Sequence, residues 1–235
     1  MKKLLPIALT KAVTIAAPLA LTVAFSLAAH AQPSSCSSDG VAQPSALLER
    51  FTSADCEACW SDARTPDAAA GALAIDWVTP GSRGDDAPLS AAATLDAAER
   101  IEALGKKAPA DFLSQFTLRA PGTHKLRVAH GLTLADYIGT SIEMRPATEG
   151  PWKAWLLLVE TVPKGEEGSP VERNLVRNSF VAEWPAPKSG EAAQRFELRP
   201  MRIAEGAKPS RLRVVGWLED SRGRVRAIAQ SRCRS

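Results

Sequence analysis

The sequence predicts an α+β protein, with an α/β first half and an appended antiparallel, β-rich and sandwich-like second half. Up to Ile138, strand-like runs alternate with segments of helical spacing, which is typical of an α/β arrangement. From Gly139 onward, short strand-like runs alternate with turns rich in Gly, Pro and Ser, which is typical of antiparallel sheets. We therefore expect a leader at 1–31, an irregular lead-in at 32–44, a first domain at 45–138, and a second domain packed on the first at 139–235.

The leader has the pattern of a signal peptide. A basic start precedes the apolar, acid-free run Ala12–Ala29, and Ala29-His30-Ala31 supplies the small-x-small pattern before a cleavage site. Cleavage after Ala31 would give a periplasmic or secreted protein without membrane association, and a membrane anchor is the competing interpretation. The leader holds three lysines, which equal the formal net charge of +3. The mature chain is then near neutral, which predicts no nucleic-acid partner.

The first half is expected to contain three strands and several helices. The strands are Ala46–Phe51, Gly71–Val78 and Lys125–Ala129. The helices are Cys56–Arg64, which Pro66 stops, Ala91–Leu104, which ends before Gly105, and short segments at Pro109–Phe116 and Thr133–Ile138. The second half is expected to contain six strands, at Ser141–Arg145, Trp152–Val162, Leu175–Trp184, Arg195–Arg199, Leu212–Leu218 and Val225–Ala229.

Four cysteines allow three disulfide pairings in an oxidising compartment. The favoured pairing joins Cys56 to Cys59 and Cys36 to Cys233, because it bonds the local couple and leaves the terminal cysteines for each other. The terminal bond would contribute about 4–5 kcal/mol in the chain-entropy model. A crossed pairing would remove any redox role of the local couple.

The couple Cys56-Glu57-Ala58-Cys59 is the candidate catalytic site. At the start of a helix the two cysteines lie one turn apart, and unpaired N–H groups with the positive helix dipole stabilise a thiolate. Cys56 would be the nucleophile and Cys59 the buried resolving thiol, while Asp55 and Glu57 oppose the thiolate by like charge. A static disulfide that fixes the turn is the alternative interpretation.

The segment Leu47–Cys59 resembles the opening of an exported bacterial thioredoxin-like family, the domain of unknown function numbered 1223. Further resemblance lies in Ile75-Asp76-Trp77, Asn174–Arg177 and Gly216–Asp220, and Trp60 and Ala74 depart from the family pattern, so the chain resembles a divergent member. The resemblance implies a thioredoxin-like fold for 45–138 with an extra β-rich part. It also implies thiol–disulfide chemistry on a protein thiol or disulfide substrate, or with a redox partner protein.

The remaining candidate residues concern docking and metal binding. Substrate docking is predicted at Trp60, Asp76, Trp77 and Pro121, the last as the candidate for a proline facing the cysteine pair; for Asp76 and Trp77 a capping and a packing role is the alternative. Copper or zinc on the cysteine couple with His124 and His130 is less favoured, because a second Cys-x-x-Cys or a His-x-x-His is missing. We therefore predict no metal and no cofactor.

Two functions remain open on the sequence. One is an exported thiol–disulfide oxidoreductase, and the other is a non-catalytic, disulfide-stapled binding or structural protein. A serine hydrolase is excluded, because the chain has no Gly-x-Ser-x-Gly elbow.

Overall fold

Two β-sheets dominate the structure, a computed structural model that describes residues 36–148, 150–188 and 195–233. The strands of the described residues are β1 (Cys36–Ser37), β2 (Ala46–Ser53), β3 (Ala72–Thr79), β4 (Phe112–Leu118), β5 (Lys125–Leu134), β6 (Tyr137–Arg145), β7 (Trp152–Val162), β8 (Arg173–Trp184), β9 (Phe196–Arg202), β10 (Leu212–Asp220), β11 (Val225–Gln230) and β12 (Arg232–Cys233). The α-helices of the same residues are α1 (Glu57–Trp60) and α2 (Leu95–Ala103). The predicted signal peptide lies outside the described residues.

The larger sheet has seven strands in the order β11-β10-β7-β8-β3-β2-β4, and the smaller has five in the order β12-β1-β5-β6-β9. The β2–β3 and β3–β8 pairs are parallel, whereas the other pairs are antiparallel. Apolar residues of β5, β6 and β9 form one core with residues of β7, β10 and β11. Helix α2 contributes Ala97 and Ile101 to a second core that contains residues of β2, β3, β7 and β10.

The predicted thioredoxin-like α/β first half is wrong, because the structure is mostly β and the helix after Cys56 has only four residues. The helix ends at Trp60, whose carbonyl oxygen accepts a hydrogen bond of 2.7 Å from the buried Arg173 side chain. In a longer helix that oxygen would bond to the backbone N–H four residues later. Pro66 further disfavours helical backbone angles at the preceding residue. The Trp60 carbonyl oxygen is therefore bonded to a buried guanidinium instead of to the backbone N–H group that would continue the helix.

Two shorter predictions also fail in this half. The predicted helix Pro109–Phe116 overlaps β4, which pairs antiparallel with β2 along its whole length, so tertiary pairing overrides local preference. The predicted helix Thr133–Ile138 is the end of β5, a tight turn and the start of β6, and Ala135 in the turn has a φ of 50°. A left-handed residue at this position is incompatible with a right-handed helix.

The antiparallel, β-rich second half is confirmed, since the six predicted strands coincide with β6 to β11 within a few residues at each end. The predicted strands of the first half correspond to β2, β3 and β5, and α2 lies within the predicted helix Ala91–Leu104. The lead-in differs from the expectation, because Cys36–Ser37 form a strand between β12 and β5. Among the described residues, no helix is long and apolar enough to cross a membrane.

Candidate functional site

Both favoured disulfides are formed, so the protein is stapled at two places and all four cysteines are bonded. Cys36 and Cys233 are register partners of β1 and β12, and their bond closes a separation of 197 residues. Cys56 and Cys59 close a separation of three residues. Two disulfides and no free thiol are typical of proteins in an oxidising, exported compartment.

The turn that carries the Cys56–Cys59 bond is fixed by its own backbone and by Asp55. Strand β2 ends at Ser53, and the Cys59 N–H donates to the Cys56 carbonyl oxygen at 3.2 Å. The Asp55 carboxylate accepts from the Ser82 N–H at 2.7 Å and the Ser82 hydroxyl at 2.8 Å, and these bonds hold the pKa of Asp55 below its ordinary value. A Cβ at Gly81 would lie 2.2 Å from the Asp55 Oδ1, so only glycine allows this approach.

A surface cavity of about 480 Å³ opens at the Cys56–Cys59 bond, and both cysteines are half-buried. The carboxylate of Asp111 and both sulfur atoms lie within 4.8 Å of one another. Asp62 and Arg64 also line this cavity, and they are paired with each other at 2.8 Å. The bond is therefore open to a reagent or peptide, in surroundings that do not favour a thiolate, since Asp111 repels it.

Below the cysteine turn lies a buried cluster of Arg50, Asp76 and Arg173, on one face of the larger sheet. Asp76, which is 2% exposed, accepts from Arg50 at 2.7 Å and from Arg173 at 2.8 Å, and both guanidinium groups are fully buried. Burial lowers the pKa of Arg173, and the Asp76 charge opposes this. Arg173 also stacks on the Trp60 ring at 4.4 Å and bonds to the Trp60 carbonyl oxygen. The cluster thus holds the end of α1 on the sheet.

The opposite face of the same strands carries a second buried cluster, around Arg100 of α2. Arg100 donates two hydrogen bonds of 2.7 Å to Glu49 and one of 2.8 Å to Glu219. Burial opposes the charged form of Arg100, but these bonds outweigh it and raise the pKa. The same two glutamates accept from three tryptophan indole N–H groups, those of Trp77, Trp155 and Trp217. Arg100 further lies 4.7 Å and 5.0 Å from the ring centroids of Trp155 and Trp217, within cation–π distance.

A scan against protein-family models, a search of curated proteins and a search of solved structures each found no match.

The predicted docking residues are placed in three different environments. Trp60 is half-buried beside the cysteine turn, and its indole N–H donates to the Glu167 carbonyl oxygen at 2.8 Å. Asp76 and Trp77 are 2% and 0% exposed, so their side chains belong to the two buried clusters and do not reach the surface. Pro121 is exposed and does not line the cavity at the disulfide; its carbonyl oxygen accepts from Arg226 at 3.3 Å.

The two histidines that the metal hypothesis combined lie in different settings. His124 packs edge-on against Trp152 at 4.8 Å, before the start of β5. His130 is the register partner of Cys36, and its ring lies beside the terminal disulfide. Within the described residues, neither histidine is grouped with Cys56 and Cys59, and the third ligand-type atom there belongs to Asp111.

Sequence reasoning missed Asp111, Arg100 and Arg173. Asp111 lies within the segment Pro109–Phe116, which the sequence predicts as a helix, whereas the structure places it just before β4, next to the end of β2. One signal for the arginines was present: Glu49 and Arg50 are adjacent charges in a strand that must be buried, so each requires a buried partner of opposite sign.

Proposed function

We propose that the protein is an exported thiol–disulfide oxidoreductase that uses Cys56 and Cys59. The observation that carries the proposal is the contrast between the two disulfides. Cys36–Cys233 joins the first and last strands of the described chain across a separation of 197 residues, with Cys36 buried and Cys233 exposed. Cys56–Cys59 instead spans three residues, and both of its cysteines are half-buried and line a cavity of about 480 Å³. A short-range, accessible disulfide is suited to exchange, since a thiolate must reach a sulfur atom to attack it.

The exchange consists of two displacements. A substrate thiolate attacks the Cys56 sulfur, forming a mixed disulfide, and the Cys59 sulfur leaves as a thiolate that takes up a proton. A second substrate thiolate then attacks the substrate sulfur of the mixed disulfide and releases Cys56, which is protonated in turn. The substrate dithiol has become a disulfide, and two electrons with two protons have reduced the Cys56–Cys59 bond. The reverse sequence reduces a substrate disulfide.

The substrate class that the site fits is an extended polypeptide with a cysteine. Strand β4 is the last strand of its sheet, and its first residue, Phe112, lines the cavity with Asp111. Ser53 N–H donates to the Asp111 carbonyl oxygen, and Arg119 N–H donates to that of Ser45, so odd-numbered residues direct their backbone groups toward β2. Because antiparallel ladders alternate, even-numbered residues of β4 direct theirs outward, where a polypeptide can pair as an added strand.

The same proposal includes the family. The segment Leu47–Cys59 runs through β2 and the turn into α1, and we propose that its resemblance to the exported family, the domain of unknown function numbered 1223, reflects common descent. The thioredoxin-like fold that the resemblance implied is not part of this proposal.

One experiment separates exchange from a static bond. The purified protein is reduced and reoxidised, and oxidation of a reduced peptide dithiol and reduction of insulin are followed for the wild type, Cys56→Ser and Cys59→Ser. Both variants lose the bond, but only Cys59→Ser keeps the attacking sulfur. For trapping, each variant is mixed with the disulfide form of the same peptide, so that a free thiolate displaces one peptide sulfur. We expect a stable mixed disulfide in Cys59→Ser, through Cys56, and little or none in Cys56→Ser. Ser61→Ala, an exposed change on the same turn, is the control.

Any of three results would refute the proposed oxidoreductase activity. The first is a Cys56–Cys59 bond that a mild dithiol does not reduce, the second is equal trapping of the peptide by both serine variants, and the third is wild-type activity in Cys56→Ser. A static staple in a binding protein is the second candidate function, favoured by the carboxylate of Asp111 beside the sulfur atoms, which disfavours the thiolate.

A further inference from the structure

A cleft away from the Cys56–Cys59 turn is lined by more basic than acidic side chains. It has a volume of about 500 Å³, within the range of small-molecule sites, and it lies between the lead-in, the segment before β5 and the start of β5. Four basic side chains line this cleft, against one carboxylate, that of Asp39. The basic residues are Arg119, Lys125, Arg127 and Arg145.

The pairing of Asp39 with Arg127 shows that this cleft accommodates a carboxylate. The Asp39 carboxylate accepts from Arg127 at 2.9 Å and 3.0 Å, and the Arg127 bonds, with a smaller contribution from Arg145, hold the pKa of Asp39 below its ordinary value. A carboxylate of the chain therefore occupies one part of the cleft. Arg119 and Lys125 line the rest of the cleft. Arg119 donates to the Pro44 carbonyl oxygen through its Nε, so this bond does not use its two terminal nitrogens.

Two nitrogen atoms next to Gly122, in and beside the cleft lining, lack hydrogen-bond partners. Within the described residues, His124 Nδ1 and Arg226 Nε are shielded from solvent and have no hydrogen-bond partner. Burying such an atom without a partner is unfavourable, because its hydrogen bonds to water are lost. Burial, and to a smaller extent the charge of Arg226, lower the pKa of His124, which favours its neutral imidazole. Arg226 is paired with Asp220 at 3.2 Å through another nitrogen, so an oxyanion would supply a missing acceptor for an imidazole N–H rather than a missing charge for Arg226.

The His124 imidazole and the Arg226 guanidinium pack closely against Gly122. A Cβ at this residue would lie 3.2 Å from His124 Nδ1 and 3.2 Å from Arg226 Nη2, with Arg226 Nε at 3.8 Å. A side chain at this position would therefore press on both groups and displace them. Guanidinium groups recognise carboxylate and phosphate oxygens through paired hydrogen bonds.

We propose that the cleft bordered by Arg119, His124 and Lys125 binds a small oxyanionic compound, with one oxygen accepting a hydrogen bond from the unpartnered Nδ1 of His124. The shared chemistry is a carboxylate or a phosphate on a ligand of metabolite size. This site does not depend on the proposed redox function, and it uses no residue of the cysteine turn.

The test is isothermal titration calorimetry on the full chain at low ionic strength. Citrate and inorganic pyrophosphate are titrated in separate experiments. We expect one-to-one binding of at least one probe, and the arm that binds distinguishes a carboxylate from a phosphate site. Gly122→Ala, which presses on His124 and Arg226 without changing charge, and Lys125→Gln should each weaken binding at least tenfold, about 1.4 kcal/mol. Cys56→Ser should bind as tightly as the wild type.

Two matched variants control for sterics and for net charge. Gly139→Ala adds a methyl group where no atom lies within 4 Å, and Lys106→Gln removes an exposed lysine that does not line the cleft. Both should bind as the wild type does. The proposal is overturned if neither probe binds up to about 10 mM, beyond the range of weak specific binding. It is also overturned if the control variants lose as much affinity as Gly122→Ala and Lys125→Gln. Lys125 is exposed, so its variant tests the site even if Gly122→Ala folds poorly.

Discussion

Replacing Asp76 by asparagine should destabilise the protein more than any loss of a surface charge near the cysteine turn. Asp76 is the only carboxylate that the described structure pairs with Arg50 and Arg173, two fully buried guanidinium groups at 2.7 Å and 2.8 Å. Removing one partner of a buried ion pair costs about 3–5 kcal/mol, because the remaining charge is left without compensation. Asparagine keeps an oxygen that can accept one bond, so we expect about 3 kcal/mol, a large part of a typical stability of about 5–15 kcal/mol.

The measurement is equilibrium unfolding in denaturant with the disulfides intact, followed by tryptophan fluorescence. The fluorescence should report the global transition, since Trp77, Trp155 and Trp217 are buried in the larger sheet. Asp62→Asn is the control, because Asp62 pairs with the exposed Arg64 in the same segment, and we expect no measurable change for it. A loss below about 1 kcal/mol for Asp76→Asn would refute the reasoning, because that is the range of surface pairs.

Four further predictions concern the staple, the site, the pH and the sheet edge. The double variant Cys36→Ser/Cys233→Ser should lose about 4–5 kcal/mol of unfolding free energy in denaturant, since its bond closes a separation of 197 residues, and an unchanged midpoint would contradict this. Reduced Asp111→Asn should react several-fold faster with iodoacetamide at pH 7 than the reduced wild type, because a repelling carboxylate is removed from the thiols; an equal or slower rate would contradict it. Burial alone would raise the pKa of Asp220, but hydrogen bonds from its arginine neighbours lower it to about 2, from an ordinary value of 3.8. Its stabilising effect is therefore present above about pH 4 and is lost as the pH falls toward 2, so wild type and Asp220→Asn should converge in urea melts over that interval. Ser114→Pro removes an outward N–H from β4 and should weaken peptide trapping by Cys59→Ser, whereas Ser114→Ala should not; equal trapping by the two would exclude pairing at this edge.

The local sequence pattern predicts most strands correctly, because the alternation of apolar and polar residues and the turn residues depend on only a few neighbouring positions. It also gave the two disulfides, since the pair three residues apart leaves one other pairing for the terminal cysteines. It failed for α1, where the decisive contact is between Trp60 and Arg173, 113 residues apart. It failed for β4 for the same reason, because pairing with β2 selects a strand from a segment with a helical alternative.

The candidate site illustrates the same limit. Cys56 and Cys59 could be identified from their spacing, but the carboxylate that faces their sulfur atoms comes from Asp111, more than fifty residues later. The basic cleft is harder still to predict, since its residues lie on the lead-in and on separate strands, and residues 32–235 are near neutral as a whole. Net charge hides a local imbalance whenever strands distant in sequence assemble one surface.

The adjacent charges Glu49 and Arg50 explain why the cysteine turn is held where it is. Because successive side chains of a strand point to opposite faces, Glu49 lies with Arg100 on one face and Arg50 lies with Asp76 on the other. The Arg50 cluster has two cations to one carboxylate, and the Arg100 cluster has one cation to two carboxylates. The Arg50 cluster therefore has a formal net charge of plus one and the Arg100 cluster one of minus one. These opposite charges attract each other across the sheet, in surroundings of low dielectric constant. Since β2 carries both charges and ends next to Cys56, any shift of the strand would separate charges in both clusters at once. The turn is thus held rigidly at its β2 end, and exchange at the disulfide would require movement of α1 and the Trp60–Arg173 contact, rather than of the sheet.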